Sequence, residues 1–252
     1  MNKTIFITGA TAGFGKATAQ LFAKKKWDLV LTGRRKERLE VLKQELEKEG
    51  VKVTTLNFDV RDFEDAKKSI ESLPKDITES IAVLVNNAGL AAGKDSIDEG
   101  KLDDWNLMID TNIKGLLNVS KLVIPILKEN KSGHIINIGS IAGKDVYPKG
   151  NVYCATKFAV DALTQSMRID LLPYNIKVSN VAPGAADTEF SNVRFKGDKQ
   201  LAADTYKGYS PLLAQDIAET IEFIVNRPAH VMINEIVIMP SAQASSNHFF
   251  KK

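Results

Sequence analysis

Residues 4–15 read TIFITGATAGFG, and the fold follows from how this stretch changes character along its length. Thr4–Ile7 is a short apolar and β-branched run, the pattern of a strand buried on both faces. Thr8 and Gly9 end it, and a helical pattern runs from Gly15 to Lys25. Gly9, Gly13 and Gly15, spaced G-x3-G-x-G, let the backbone turn tightly between the two. A strand entering a helix in this way aims free amides and the positive helix end at one point, which suits a pyrophosphate. A purely structural turn is the competing reading, and the strand-turn-helix context argues against it.

The same alternation continues down the chain. Strand patterns lie at Asp28–Thr32, Val51–Asn57, Ala82–Val85, His134–Ile138, Lys177–Val181 and Glu235–Met239. Helical periodicity occupies Lys36–Lys48, Phe63–Leu73 (closed by Pro74), Leu102–Leu127, Val152–Leu172 and Gln215–Val225. Seven apolar strands separated by helices imply parallel pairing with helices on both faces, an α/β doubly wound sheet. One domain is expected over residues 1–252, with an irregular segment at 184–210 of the length typical of a substrate lid. A polar tail from about 241 to 252 is expected to fray or to dock on a neighbouring subunit.

The helix pattern from Leu102 to Leu127 carries Trp105, Ile109, Ile113, Leu116, Leu117, Val123 and Leu127, more apolar surface than one sheet face absorbs. A second subunit is one cover for it, and the loop at 185–210 is another.

Composition narrows the function. The 34 basic and 31 acidic residues are interleaved and leave a net charge of +3, so neither a nucleic-acid nor a membrane surface is indicated. Cys154 is the single cysteine, which excludes an internal disulfide and fits a reducing, cytoplasmic setting. His134, His230 and His248 lack ligand spacing, so no metal is expected. The apolar run Ile5–Ile7 is too short for a signal peptide, and no stretch approaches the ~20 residues of a membrane span.

Chemistry concentrates in NIGSIAGKDVYPKGNVYCATK, Asn137–Lys157. Tyr153 and Lys157, four apart on a helix, share a face. A cation there favours the phenolate, drawing a phenol of pKa ~10 toward neutrality. Ser140, at a strand's carboxyl end, supplies a second hydroxyl to polarise a carbonyl oxygen. A dinucleotide's adenosine ribose would meet the end of the second strand, where an acidic residue marks NAD. Here Gly33 is followed by Arg34 and Arg35, which suits the 2′-phosphate of NADP through charge-assisted bonds; the competing reading is that one of the two starts the next helix in solvent. Asp59, beside Val60, is either an acceptor for the adenine amino group or a helix N-cap. In NNAG, Asn86 to Gly89, the small Ala88 and Gly89 let a cofactor lie near the backbone. Asn112 sits inside a helical pattern as DTNIKG, where a satisfied polar contact or a local distortion is expected. PGAADT, Pro183–Thr188, follows the sixth strand at the ligand-binding edge.

Together these motifs resemble the short-chain dehydrogenase/reductase family over essentially the whole chain. The resemblance implies a Rossmann-type fold with NADP(H) held by Gly9, Thr11, Gly13, Phe14 and Gly15, by Arg34 and Arg35, and by Asp59 and Val60. It adds Asn86, Ala88, Gly89, Tyr153, Lys157, Pro183, Gly184 and Thr188 as further cofactor contacts. It implies Tyr153 as general acid or base, Ser140 orienting the substrate oxygen, Lys157 on the nicotinamide ribose and Asn112 holding a relay water. With the apolar excess of the Leu102–Leu127 helix, a homo-oligomer is expected, a tetramer in preference to a dimer.

TGATAGFG, GNVYCATK and TEFSNVRFKGD are further similar to NADP-dependent 3-hydroxy acid dehydrogenases, which implies small 3-hydroxy acids or 3-oxo acids as substrates. Such substrates need a cation, and Arg194, Lys149 and Lys196 are the candidates, Arg194 foremost for its planar guanidinium. Cys154 departs from the glycine or serine common beside the tyrosine and reads as a packed small residue. A serine hydrolase is opposed by the missing G-x-S-x-G, since Gly139 and Gly143 each lie one place off. A reductase of other carbonyl compounds shares every cofactor motif. A nucleotide sensor without chemistry is opposed by intact Asn112, Ser140, Tyr153 and Lys157.

Overall fold

The structure, a computed structural model, describes residues 2–252, apart from the side chains of Asn192, Lys199, Ala202 and Ala203. In chain order the first half comprises β1 (Thr4–Ile7), α1 (Gly13–Lys24), β2 (Asp28–Gly33), α2 (Lys36–Glu47), β3 (Val53–Asn57), α3 (Phe63–Glu71), α4 (Lys75–Ser80) and β4 (Ile81–Asn86). It continues with α5 (Leu102–Ile109), a π-helical turn (Asp110–Gly115), α6 (Leu116–Glu129), β5 (Gly133–Ile138), α7 (Asn151–Leu171) and β6 (Ile176–Pro183). Last come β7 (Ala186–Asp187), α8 (Glu189–Arg194), α9 (Lys199–Asp204), β8 (Leu212–Leu213), α10 (Ala214–Val225) and β9 (Glu235–Ile238).

The sheet has seven strands in the order β3-β2-β1-β4-β5-β6-β9, every pair parallel. Strand alternation divides the core in two. Ile5, Ile7, Leu29 and Leu31 face α1, α2 and α10 through Phe22, Leu39, Leu42 and Ile221. Phe6, Val30, Leu84 and Ile135 face α3, α6 and α7 through Ile70, Val123, Leu127 and Val160. Because each strand of the first set is buried on both sides, its sequence reads as a continuous apolar run. The chain travels outward from β1 through β3, then restarts at β4 on the other side of β1. The loops after β1 and β4 therefore part at one crevice, the point where open α/β sheets bind ligands.

Four expectations change. The helix anticipated over 102–127 is two helices joined by the π-helical turn. Asn112 lies in that turn, buried, with its side chain bonded to Leu90, so distortion and polar satisfaction occur together. Gly115 is pressed on Val60, which a Cβ would meet at 2.6 Å. Pro74 opens a further short helix, α4, instead of only closing one. The 184–210 segment is built, not irregular: β7 pairs with β8, and α8 and α9 lie between them. The tail folds back on its own chain, with Phe250 N–H donating to Ala242 O and Lys252 N–H to Gly208 O. Ser246 fastens it to Asp145 at 2.7 Å.

Candidate active site

Parallel pairing places the carboxyl ends of β1, β2, β3, β4, β5 and β6 along one edge, and two adjoining cavities open there. The first runs from the glycine turn to the end of β2. Gly9 (φ 65°) and Gly13 (φ 50°) take left-handed conformations that a side chain would strain. A Cβ on Gly9 would also meet Ala88 at 3.0 Å. Thr8 clamps this turn to the end of β4: its hydroxyl oxygen accepts from Asn87 N–H and Ala88 N–H, both at 2.9 Å. Asn87 Nδ2 in turn donates to Thr8 O at 2.8 Å.

The expected cofactor residues divide between lining and support. Gly9, Thr11, Gly13, Phe14, Val60, Ala88, Gly89, Lys157 and Thr188 line the first cavity. Gly15 does not; it lets Gly9 O and Asn87 Nδ2 approach to 2.5 Å of where a Cβ would stand. Asn86 turns the other way, donating to Asn137 Oδ1 at 2.8 Å and Ser120 Oγ at 3.0 Å. It is the last residue of β4, and alternation sends its side chain inward while Asn87 faces the crevice. Pro183 and Gly184 border the second cavity. Gly184 is held against Gln243 of the tail, so the tail is part of that wall.

At the far end, Arg34 and Arg35 stand where the strand ending predicts, both lining the cavity. Arg35 donates to Thr11 Oγ1 at 2.8 Å and pairs with Glu189 at 2.9 Å. Arg34 lies 3.7 Å from Asp59. Burial pushes the Asp59 carboxyl up, but hydrogen bonds from Arg61 and the charges of Arg61 and Arg34 outweigh it and hold the group below its usual range. Asp59 caps no helix; Asp62 does, accepting from Asp65 N–H at 3.0 Å.

Phe14, Gly139, Tyr153, Thr188 and Phe190 belong to both cavities. Tyr153 therefore sits at their junction, with Lys157 on the first side and Ser140 on the second. Burial raises the Tyr153 phenol above the ordinary range, with Tyr147 adding to the rise, while the hydrogen bond with Ser140 and the charge of Arg194 act against it. Burial also lowers Lys157 to about 8. Its ammonium donates to Ile138 O at 2.9 Å and lies 5.9 Å from the Tyr153 ring centre. Burial thus outweighs the Ser140 hydrogen bond and the Arg194 charge at this phenol. Asn112 lines neither cavity. Its amide bridges Leu90 (2.8 Å) and Thr156 (3.0 Å), tying the loop after β4 to α7.

Of the three candidate cations, Arg194 alone faces the second cavity. Its guanidinium lies 5.4 Å from the Tyr147 ring centre and 5.9 Å from that of Tyr153. Among the described residues, Arg194 Nε and the Tyr147 hydroxyl are buried without hydrogen-bond partners, so the pair is open to an acceptor. Lys196 points away and pairs with Asp104 at 2.9 Å. Lys149 is exposed and borders neither large cavity. Lys94, Tyr147, Asn87 and the tail residues Phe249 and Lys251 were not singled out by the sequence. For Asn87 the signal was present in strand parity; for the others, contacts distant in sequence bring them in.

The family model for short chain dehydrogenase matches residues 3–199. Sulfoacetaldehyde reductase 2 of Chromohalobacter salexigens is 45% identical, covering 98% of this chain and 97% of that protein. The NADP-dependent 3-hydroxy acid dehydrogenase of Schizosaccharomyces pombe is 44% identical over 99% of this chain and 97% of its own length. Among solved structures, the closed form of serine dehydrogenase complexed with NADP+ superposes with a TM-score of 0.93 at 40% identity, covering 99% of both chains.

Proposed function

The chain belongs to the short-chain dehydrogenase family, and from that premise we propose that it is an NADP-dependent oxidoreductase acting at C3 of small 3-hydroxy acids and the matching 3-oxo acids or semialdehydes. The observation that carries the reading is Tyr153 at the junction of two cavities, one fit for a dinucleotide and the other bearing Arg194. The first fits NADP(H) on its own features: left-handed glycines that leave the backbone bare, and two arginines at the end of β2. The relatives named as a 3-hydroxy acid dehydrogenase and a serine dehydrogenase support the same class.

NADPH, when bound, supplies the hydride that reaches the substrate carbon. Tyr153, held as a phenol by its burial, gives its proton to the carbonyl oxygen, and Ser140 hydrogen-bonds that oxygen from the second cavity. Lys157 adds a positive charge behind the phenol, favouring the phenolate left after transfer. Arg194 and the Tyr147 hydroxyl take the substrate's acid group, filling their open valences. Asn112 acts through the loop and helix it joins. In the oxidative direction the proton passes the other way.

We place the whole chain in one domain, with 184–210 as lid and 241–252 as a tail that walls the substrate cavity. The protein is read as a cytoplasmic homo-oligomer. Buried, unpaired Cys154 suits a reducing compartment, and no helix of the described residues is long and apolar enough to cross a membrane. Initial rates with NADP and NAD on 3-hydroxypropionate, 3-hydroxyisobutyrate, L-serine, L-allo-threonine and an uncharged secondary alcohol test the function. NADP and the acids should be preferred. Preference for NAD, or equal use of the uncharged alcohol, contradicts the reading.

A further inference from the structure

The second cavity is ringed by cations from three separate parts of the chain. Arg194 comes from the end of α8, Lys94 from the loop after β4, and Lys251 from the tail. Among the described residues none of the three forms a salt bridge. One acid, Asp204, lies on the same wall, and its carboxylate accepts the Gln200 amide at 3.1 Å. Burial first, then the charges of Arg194, Lys149 and Lys251, holds the Lys94 ammonium below the ordinary lysine range. Three cations thus line the cavity against one carboxylate, and their positive charges act on one another.

We propose that Lys94 is a specificity-determining residue of this site: beside Arg194 it receives the acid group of a substrate that bears a carboxylate or sulfonate and no neighbouring ammonium. The inference rests on the reading of this cavity as the one that takes an acidic 3-hydroxy or 3-oxo compound. A carboxylate or sulfonate brings negative charge into a cavity where cations outnumber carboxylates and relieves their repulsion. An α-amino acid such as serine brings its own ammonium one carbon from the carboxylate. Seated on Arg194, that ammonium meets the positive charge of Lys94 in a cavity whose lining holds three cations and one carboxylate, Asp204. The same lysine thus attracts one class and repels the other, and selectivity arises from both effects. Carboxylate and sulfonate share the charge and differ in shape, so both are needed as probes.

The test uses the full-length protein with NADP and four alcohols: 3-hydroxypropionate, 2-hydroxyethanesulfonate, L-serine and 2-butanol. For the wild type, kcat/KM for at least one of the two amine-free acids should exceed that for serine by about tenfold or more. Lys94→Met should raise KM for that acid about tenfold with kcat little changed, leave 2-butanol and the KM for NADP unaltered, and narrow its margin over serine. Lys94→Glu should reverse the preference toward serine, and Lys94→Arg should keep the wild-type order. Equal use of serine and the amine-free acids by the wild type overturns the proposal, as does an unchanged KM in Lys94→Met with an unaltered melting temperature. Failure of the wild type to prefer any acid over 2-butanol overturns the acidic-substrate reading and the inference with it, an outcome distinct from acid preference without an effect of Lys94.

Discussion

Tyr153 holds its proton more firmly than an exposed tyrosine, and this sets what the residue does first. It is 9% exposed, and desolvation pushes its phenol up despite the Ser140 hydrogen bond and the Arg194 charge. A phenol that stays protonated through the neutral range serves as an acid in reduction. Tyr153→Phe should therefore lower kcat for reduction by at least about 100-fold while NADPH still quenches tryptophan fluorescence with wild-type affinity; a loss below tenfold shows that another group donates. His134 carries a second prediction at this scale, one concerning stability. It is buried, and Ser179 Oγ donates to Ile233 O, so His134 Nε2–H donates to that hydroxyl at 2.8 Å. Burial and then the Lys177 charge depress it to about 4 from an ordinary 6.5. The unfolded chain thus binds a proton that the fold refuses, so the stability it contributes is full above pH 6.5 and is lost as pH falls to 4. The loss between pH 7 and 5 is about 2 kcal/mol, where carboxylates scarcely titrate. Urea midpoints at the two pH values should differ markedly for the wild type and much less for His134→Gln; equal differences would place the acid sensitivity elsewhere.

At the scale of the element, α8 is tied across the first cavity by Glu189, its first residue, which pairs with Arg35 at 2.9 Å and Arg38 at 2.7 Å. Burial raises this carboxyl, but the two arginine hydrogen bonds outweigh it and leave it below its usual range. The pairs are exposed, so they fasten the helix by no more than ~1 kcal/mol. Their larger effect is on Arg35, whose charge a 2′-phosphate must share with Glu189. Glu189→Gln should tighten NADPH binding about threefold to fivefold at low salt and leave NADH unchanged; titrations showing equal shifts for both nucleotides would sink the idea. None of this was legible in the sequence, because residues 35 and 189 meet only through the parallel order of β2 and β6. What was legible is local: period-two alternation in the strands, the glycine turn after β1, and the Tyr153–Lys157 spacing on α7. Asn112 lay between these cases. Its polarity within an apolar helix announced a break, but the π-helical turn depends on Leu90 and Val60, which close contact alone reveals. The lid's short helices and the returning tail escaped for the same reason: six-residue helices carry little periodicity, and the tail is ordered by Asp145 and Gly208.

At the scale of the whole molecule, exposed apolar side chains stand on both sides of the sheet among the described residues, and the proposed tetramer would use both sides. On the α6–α7 side Leu117 is 39% and Phe158 42% exposed. On the other side of the sheet and at its β9 edge, Phe223 of α10 is 46% and Val237 is 43% exposed. Phe190 of the lid packs elsewhere, edge-on to Tyr153 with ring centres 5.6 Å apart. One self-complementary surface closes a dimer with two-fold symmetry and is then used up; two such surfaces on different sides of a subunit generate a closed tetramer of dihedral symmetry. The open edge of β9 adds unpaired backbone groups to the second surface, which a partner would protect. Phe158→Glu places a charge on the first surface and leaves the second intact, and Phe223→Glu does the reverse. Each should give a folded dimer by light scattering, and the double variant a monomer. Because Phe158 lies on the helix that carries Tyr153 and Lys157, losing the first surface should also lower the melting temperature of the NADP-bound protein more than losing the second. A single variant that takes the protein straight from tetramer to monomer, or a wild type that is already a dimer, would show that one of these surfaces serves no subunit contact.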